Sequence, residues 1–112
     1  MDDVKLGGKD VHNENPAEKL NYHGVITDAN NKLKGANFGY PSCVPAWDTQ
    51  LLGISNINVG DLFAPDNVPK ASDCASRQTG TVHFPSHTAP LDVKFNANGT
   101  AAYIAFHGSW WV

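Results

Sequence analysis

His83 and His87 stand four residues apart, the spacing at which two imidazoles on one helical face can grip a metal. Pro85 lies between them and no helical period surrounds them, so they read as one strand histidine and one loop histidine. No two carboxylates stand out as a general acid and base. Asp61 and Asp66 lack the spacing of a calcium loop. No nucleophile elbow and no phosphate-cradling glycine loop occurs. The residues therefore predict no catalytic group and no metal ligand. Aromatic chemistry is denser. His107-Gly108-Ser109-Trp110-Trp111-Val112 sets an imidazole and two indoles directly after an apolar run. Such rings can stack on a flat cofactor or a sugar face. The plainer reading is an apolar segment packed on a core, and composition alone favours it. Tyr22 and Trp47 carry the same two readings.

Two further features concern modification. Cys43 and Cys74 are the only cysteines and form no Cys-x-x-Cys pair. A disulfide, as in an oxidising compartment, is preferred over two buried thiols. Asn98-Gly99-Thr100 is an N-glycosylation sequon. Asn-Gly is also a favoured hairpin turn, and the turn is the preferred reading, although both can hold.

The elements that position these residues are short. Ten Gly, seven Pro and eleven Asn make up a quarter of the 112 residues. They turn a backbone rather than extend helices. The expectation is an all-β, loop-rich chain with at most one short helix. Residues 1–14 are polar and read as a flexible N-terminal arm, and residues 15–112 as a single β-rich domain. Asn15-Pro16-Ala17-Glu18 carries the signature of a helix start. Residues 22–27 suggest a short strand before a turn at Asp28-Ala29-Asn30-Asn31. Residues 34–73 show no period and are broken by four prolines and four glycines, which implies a functional or well-packed loop. Residues 81–84 and 91–95 read as strands, the latter with Leu91, Val93 and Phe95 on one face. Residues 101–107 form the partner of the second across a turn at 96–100. Both faces of that partner are apolar, so it is expected to be an interior strand covered on two sides.

Charge and length exclude several classes. The formal net charge is −3 and Arg77 is the only arginine, which argues against a nucleic-acid surface. No apolar run reaches the ~18 residues of a membrane span. The N-terminus Met1-Asp2-Asp3-Val4-Lys5 has no apolar signal-peptide region. A mature secreted chain with an added Met, or a piece of something longer, is expected.

Three blocks resemble the glucose/sorbosone dehydrogenase family of quinoproteins, most closely the fungal pyranose dehydrogenases that use pyrroloquinoline quinone. Asn37-Phe38-Gly39-Tyr40-Pro41-Ser42-Cys43 looks like the family's N-Y-G-[WY]-P segment. His87-Thr88-Ala89-Pro90-Leu91-Asp92-Val93-Lys94-Phe95 is similar to its H-[ST]-A-P-L strand. Phe106-His107-Gly108-Ser109-Trp110 is similar to its H-G-S-W-N-R motif. Asn15-Pro16-Ala17-Glu18-Lys19-Leu20-Asn21 resembles the stretch before the first block. The family fold is a six-bladed propeller of four-stranded blades, of which this chain supplies about one blade and a long loop.

The resemblance implies that Cys43 pairs with Cys74. It also implies that His87, His107 and Trp110 lie near the axis where the quinone sits. After Trp110 the chain reads Trp111-Val112 in place of the family's Asn-Arg, so the arginine expected to pair with the quinone's carboxylates is missing. In the family, the catalytic histidine and most quinone and calcium contacts belong to other blades. The expectation is a truncated segment, inactive and without cofactor by itself, that acts by binding if at all. Two alternatives are a small secreted fungal binding protein with an immunomodulatory or defence role, and a small carbohydrate-binding module using Trp47, Trp110 and Trp111. Expected partners are a second copy through exposed sheet edges, a sugar, or a cell-surface receptor.

Overall fold

The Gly7-Gly8 pair turns the chain back on itself. Both glycines take left-handed backbone, at φ 58° and 77°. A two-residue hairpin turn demands this, and a side chain resists it. The computed structural model describes residues 4–66 and 73–108. In it this turn joins β1 (Lys5–Leu6) to β2 (Lys9–Asp10), which pair antiparallel. Asp66 clamps the turn, its two carboxylate oxygens accepting from Gly7 N–H at 3.0 Å and Gly8 N–H at 2.8 Å. The hairpin sends Val4 and Val11 inward, and both are fully buried. From Val4 onward the expected arm is therefore a core-forming hairpin. The polar residues around the two valines concealed it.

The stretch without a period supplies the rest of the core. β4 (Val44–Pro45) pairs antiparallel with β5 (Leu62–Phe63). Between them runs α1 (Thr49–Leu52), capped by Asp48, whose Oδ1 accepts from Leu51 N–H at 3.0 Å. Val44, Ala46, Leu52 and Phe63 join Val4 and Val11 in one buried cluster. Cys43 and Cys74 form the expected disulfide, tying the start of β4 to a 3₁₀ turn at Cys74–Ser76. The long loop is thus the well-packed kind.

The helix expected from Asn15 is absent. Asn15 is 0% exposed, and its Oδ1 accepts from Trp47 N–H at 2.8 Å while its Nδ2 donates to the Asp48 carbonyl at 3.4 Å. The amide that would have capped a helix is committed to another segment. The one α-helix among the described residues is α1 instead. β3 (Glu18–Leu20) follows and pairs antiparallel with β6 (Val82–Phe84), placing Lys19 opposite His83. The strand expected over residues 22–27 does not form. Ile26 is 89% exposed, so its apolar centre has nothing to pack against. The Asp28 turn does form, with Asn30 N–H donating to Asp28 Oδ1 at 2.9 Å.

The predicted hairpin is β7 (Pro90–Phe95) and β8 (Ala102–Phe106), with Phe95 opposite Ala102 and an irregularity between Pro90 and Asp92. It packs on the β3–β6 sheet over part of its length, where Phe106 meets Phe84 edge-on at 5.1 Å. Val93 and Ile104 face each other and are half-buried. β8 is not the doubly covered interior strand that its sequence suggests. Tyr103 is 68% exposed, and Leu91 and Phe95 on β7 are 67% and 65% exposed. A two-stranded ribbon covers only the side it lays on a neighbour, and no further strand flanks this one among the described residues. The fold is all-β and loop-rich, and among the described residues every sheet has two strands.

Candidate functional site

The bonding of β7 to β8 brings two of the three sequence blocks together. Pro90 lies opposite Phe106, His107 N–H donates to the Ala89 carbonyl at 2.9 Å, and Gly108 N–H donates to the Thr88 carbonyl at 3.2 Å. The residues that follow His87 therefore run beside His107 and Gly108. His107 itself is exposed. Trp110 and Trp111 lie outside the described residues. Trp47 is half-buried and held through its backbone by Asn15.

His87 begins this arrangement in a left-handed conformation, φ 60°, just after β6. Its Nε2 lies 2.6 Å from the His12 carbonyl oxygen. A carbonyl only accepts, so Nε2 carries the proton and donates. That nitrogen is committed to the backbone. The His12 and His87 rings lie 4.7 Å apart at a tilt of 58°. Between them and the core opens a cleft of about 350 Å³, lined by Val4, His12, Pro16, Glu18, Tyr40, Val44 and His87. Tyr40 from the first block, His87 from the second and Pro16 with Glu18 from the preceding stretch thus share one cleft. Tyr40 is 74% exposed and offers a ring face. Among the described residues, the charged group lining the cleft is the Glu18 carboxylate, with neither lysine nor arginine beside it. This set can donate to and accept from hydroxyls and can stack on a flat face. Among the described residues no group of three or more metal-ligating side chains is assembled. Sequence reasoning missed His12, because it assigned that residue to an arm. The Gly7-Gly8 pair between two valines was the signal that would have placed it.

A second polar cluster sits across the β3–β6 pair. The Lys19 ammonium donates to the Phe38 carbonyl and lies 5.8 Å from the Phe38 ring centre. Burial holds its pKa below the usual lysine range. His83 packs so closely on Gly60 that a Cβ there would meet its ring at 2.3 Å. Burial, and then the Lys19 charge, lower the His83 pKa, while Asp61 pulls it back up. Its Nε2 and the Asn21 Oδ1 are buried without a hydrogen-bond partner in the protein. The folded chain thus binds a proton at His83 less readily than the unfolded chain does. Its contribution to stability is complete above the ordinary histidine value of about 6.5 and falls as pH drops through the lowered one. Thermal melts from about pH 7.5 to about pH 5 should show an acid-side loss that His83→Gln flattens. An unchanged slope in the variant would contradict this assignment.

Comparison with known proteins places this arrangement. The family model described as TrAA12-like matches residues 1–112. A pyrroloquinoline quinone-dependent sugar dehydrogenase of Hypocrea jecorina (strain QM6a) is 44% identical over 114 residues, covering 97% of this chain and 26% of that protein. A pyrroloquinoline quinone-dependent pyranose dehydrogenase of Coprinopsis cinerea is 39% identical over 106 residues, covering 91% of this chain and 14% of that protein. Among solved structures, the calcium structure of a Trichoderma reesei carbohydrate-active enzyme of family AA12 superposes with TM-score 0.83 at 41% identity. It covers 98% of this chain and 28% of that one. The holo form of the Coprinopsis cinerea pyranose dehydrogenase domain superposes with TM-score 0.74 at 36% identity, covering 96% and 27%. The chain thus spans about a quarter or less of the length of each.

Proposed function

Because the chain belongs to the TrAA12-like family, we propose that it is one segment of a secreted pyrroloquinoline quinone-dependent sugar dehydrogenase and does not oxidise sugar by itself. The observation that carries this is the match, which takes in 97% of this chain but only 26% of a sugar dehydrogenase. The quinone is a planar polycarboxylate, and such an anion needs cationic partners. The cleft that gathers the family blocks offers Glu18 instead, with no lysine or arginine among the described residues of its walls. The residues described here do not fit the quinone, so its carboxylates must be met by other parts of a parent enzyme. The segment's part is to wall the site and position His87 and His107. Secretion is supported by the Cys43–Cys74 disulfide, a bond that persists in oxidising compartments.

The test is dye reduction by the purified 112-residue chain with the quinone, calcium and a panel of aldoses. No turnover above a protein-free control is expected, while a Coprinopsis-type dehydrogenase assayed in parallel is active. Sugar-dependent turnover by this chain refutes the proposal.

In the parent, we read the segment as little more than one blade of a propeller, with neighbouring blades lying over the β7–β8 ribbon. The isolated chain leaves Leu91, Phe95, Tyr103 and Phe106 exposed. It should therefore self-associate through that ribbon, since unpaired edges and apolar faces pair with copies of themselves. Sedimentation velocity should show a concentration-dependent shift that the double substitution Leu91→Lys and Phe95→Lys abolishes. A monomer up to the solubility limit would count against it.

A further inference from the structure

The tip of the β7–β8 hairpin holds a polar network that packing does not require. Thr100 Oγ1 accepts from Asn96 Nδ2 at 2.9 Å and donates to Asn98 Oδ1 at 2.7 Å. Thr100 N–H also points to Asn98 Oδ1, at 3.4 Å, and to Asn96 Oδ1 at 2.8 Å. Two donors thus converge on the Asn98 side-chain carbonyl, which draws electron density away from the amide. Among the described residues, Asn98 forms its side-chain hydrogen bonds through the oxygen. The residue is exposed, as are Ala97, Gly99 and Thr100 around it.

From this geometry we infer that Asn98 is an N-glycosylation site, the acceptor being its side-chain amide nitrogen. The Asn-Gly turn and the sugar are compatible here, because the turn is built from the backbone and Asn98 Oδ1 and the residue is exposed. Of the eleven asparagines, Asn98 alone sits in an Asn-x-Ser/Thr sequence. The Cys43–Cys74 disulfide supplies the second line of support, since disulfide formation and N-glycosylation share the lumen of the secretory pathway. In the reaction, Nδ2 attacks the anomeric carbon of an oligosaccharide carried on a polyprenyl diphosphate. The N–C bond forms, the C–O bond to the diphosphate breaks, and the lipid diphosphate leaves with the electron pair. The amide gives up one proton. The co-reactant and its transferase belong to the host membrane.

Occurrence in the source organism rests on the secreted reading above, so the test supplies its own leader. The 112-residue chain is expressed behind a secretion signal in a eukaryotic host and its disulfide is verified. Intact mass should show an N-glycan that peptide-N-glycosidase removes, leaving aspartate at position 98. Digestion in heavy-oxygen water, beside an undigested control, separates this from spontaneous deamidation at Asn-Gly. Asn98→Gln and Thr100→Ala should abolish occupancy, and Thr100→Ser, which keeps the hydroxyl, should retain it. A secreted, disulfide-closed chain with unmodified Asn98 overturns the inference, as does a glycan that persists in Thr100→Ala.

Discussion

Replacing both Cys43 and Cys74 by serine is expected to cost about 3–4 kcal/mol, the loop-closure value for a crosslink spanning 31 positions. Domains of this size are stable by only about 5–15 kcal/mol. The core cluster holds six buried residues, and aromatic Phe63 is the largest of them. The loss is therefore a large share of the total, and the urea midpoint should fall by roughly 2 M. The damage should begin locally. Cys43 N–H donates to the Gly39 carbonyl at 2.9 Å, and the Arg77 guanidinium donates to the same carbonyl at 3.0 Å. Without the crosslink, the 3₁₀ turn is held to this stretch by the Arg77 bond and by Gln78 N–H donating to the Asn37 carbonyl at 2.9 Å. A double variant with an unchanged midpoint would show that the packed loop is self-sufficient.

Asn15→Leu should be the other severe change, at about 2–4 kcal/mol. It leaves the half-buried Trp47 N–H and Asp48 carbonyl without their partner beside the fully buried position 15, and each such orphan costs about 1–3 kcal/mol. Asn15→Asp separates the acceptor role from the donor role. A carboxylate still accepts from Trp47 N–H, but it cannot donate to Asp48, and its charge is buried. Burial raises that carboxyl's pKa, so stability should be lowest near neutral pH and recover on acidification as the protonated acid regains a donor. Urea titrations of both variants at about pH 7 and about pH 4.5 test this. A neutral-pH midpoint equal to wild type in Asn15→Leu would show that the bridge is dispensable.

Asn15 also shows where the sequence stopped being legible. Its type and its neighbours Pro16 and Glu18 spell a helix start, and local propensity offered no sign that Trp47 N–H was waiting 32 positions away. Long-range hydrogen bonds of this kind leave no local pattern. The β7–β8 hairpin was readable because alternation and an Asn-Gly turn are both local. The disulfide was readable because only two cysteines exist. Overestimation of burial in β8 has a different cause. Apolar residues on both faces suit a strand covered twice, and the described residues cover one side only. At the site, the resemblance named His87, His107 and Trp110; Trp110 lies outside the described residues, His107 runs beside the strand that follows His87, and Tyr40, which shares a cleft with His87, was not singled out. His12 and the Lys19–His83 cluster were missed, because both depend on which strands pair and neither carries a motif.

The pairing of β3 with β6 has a consequence for the order in which this chain acquires structure. Glu18 must find Phe84, across some sixty intervening residues, before that sheet exists. The Val4–Val11 hairpin likewise waits for Phe63 to cover it. During synthesis at about 5–20 residues per second, the first hairpin is exposed for several seconds before its cover emerges. Pairings this distant form slowly even in a complete chain, because loop closure precedes any gain from contact. The molecule is therefore a late folder: β3 waits for Phe84 and the first hairpin for Phe63, and both stay uncovered until those residues arrive.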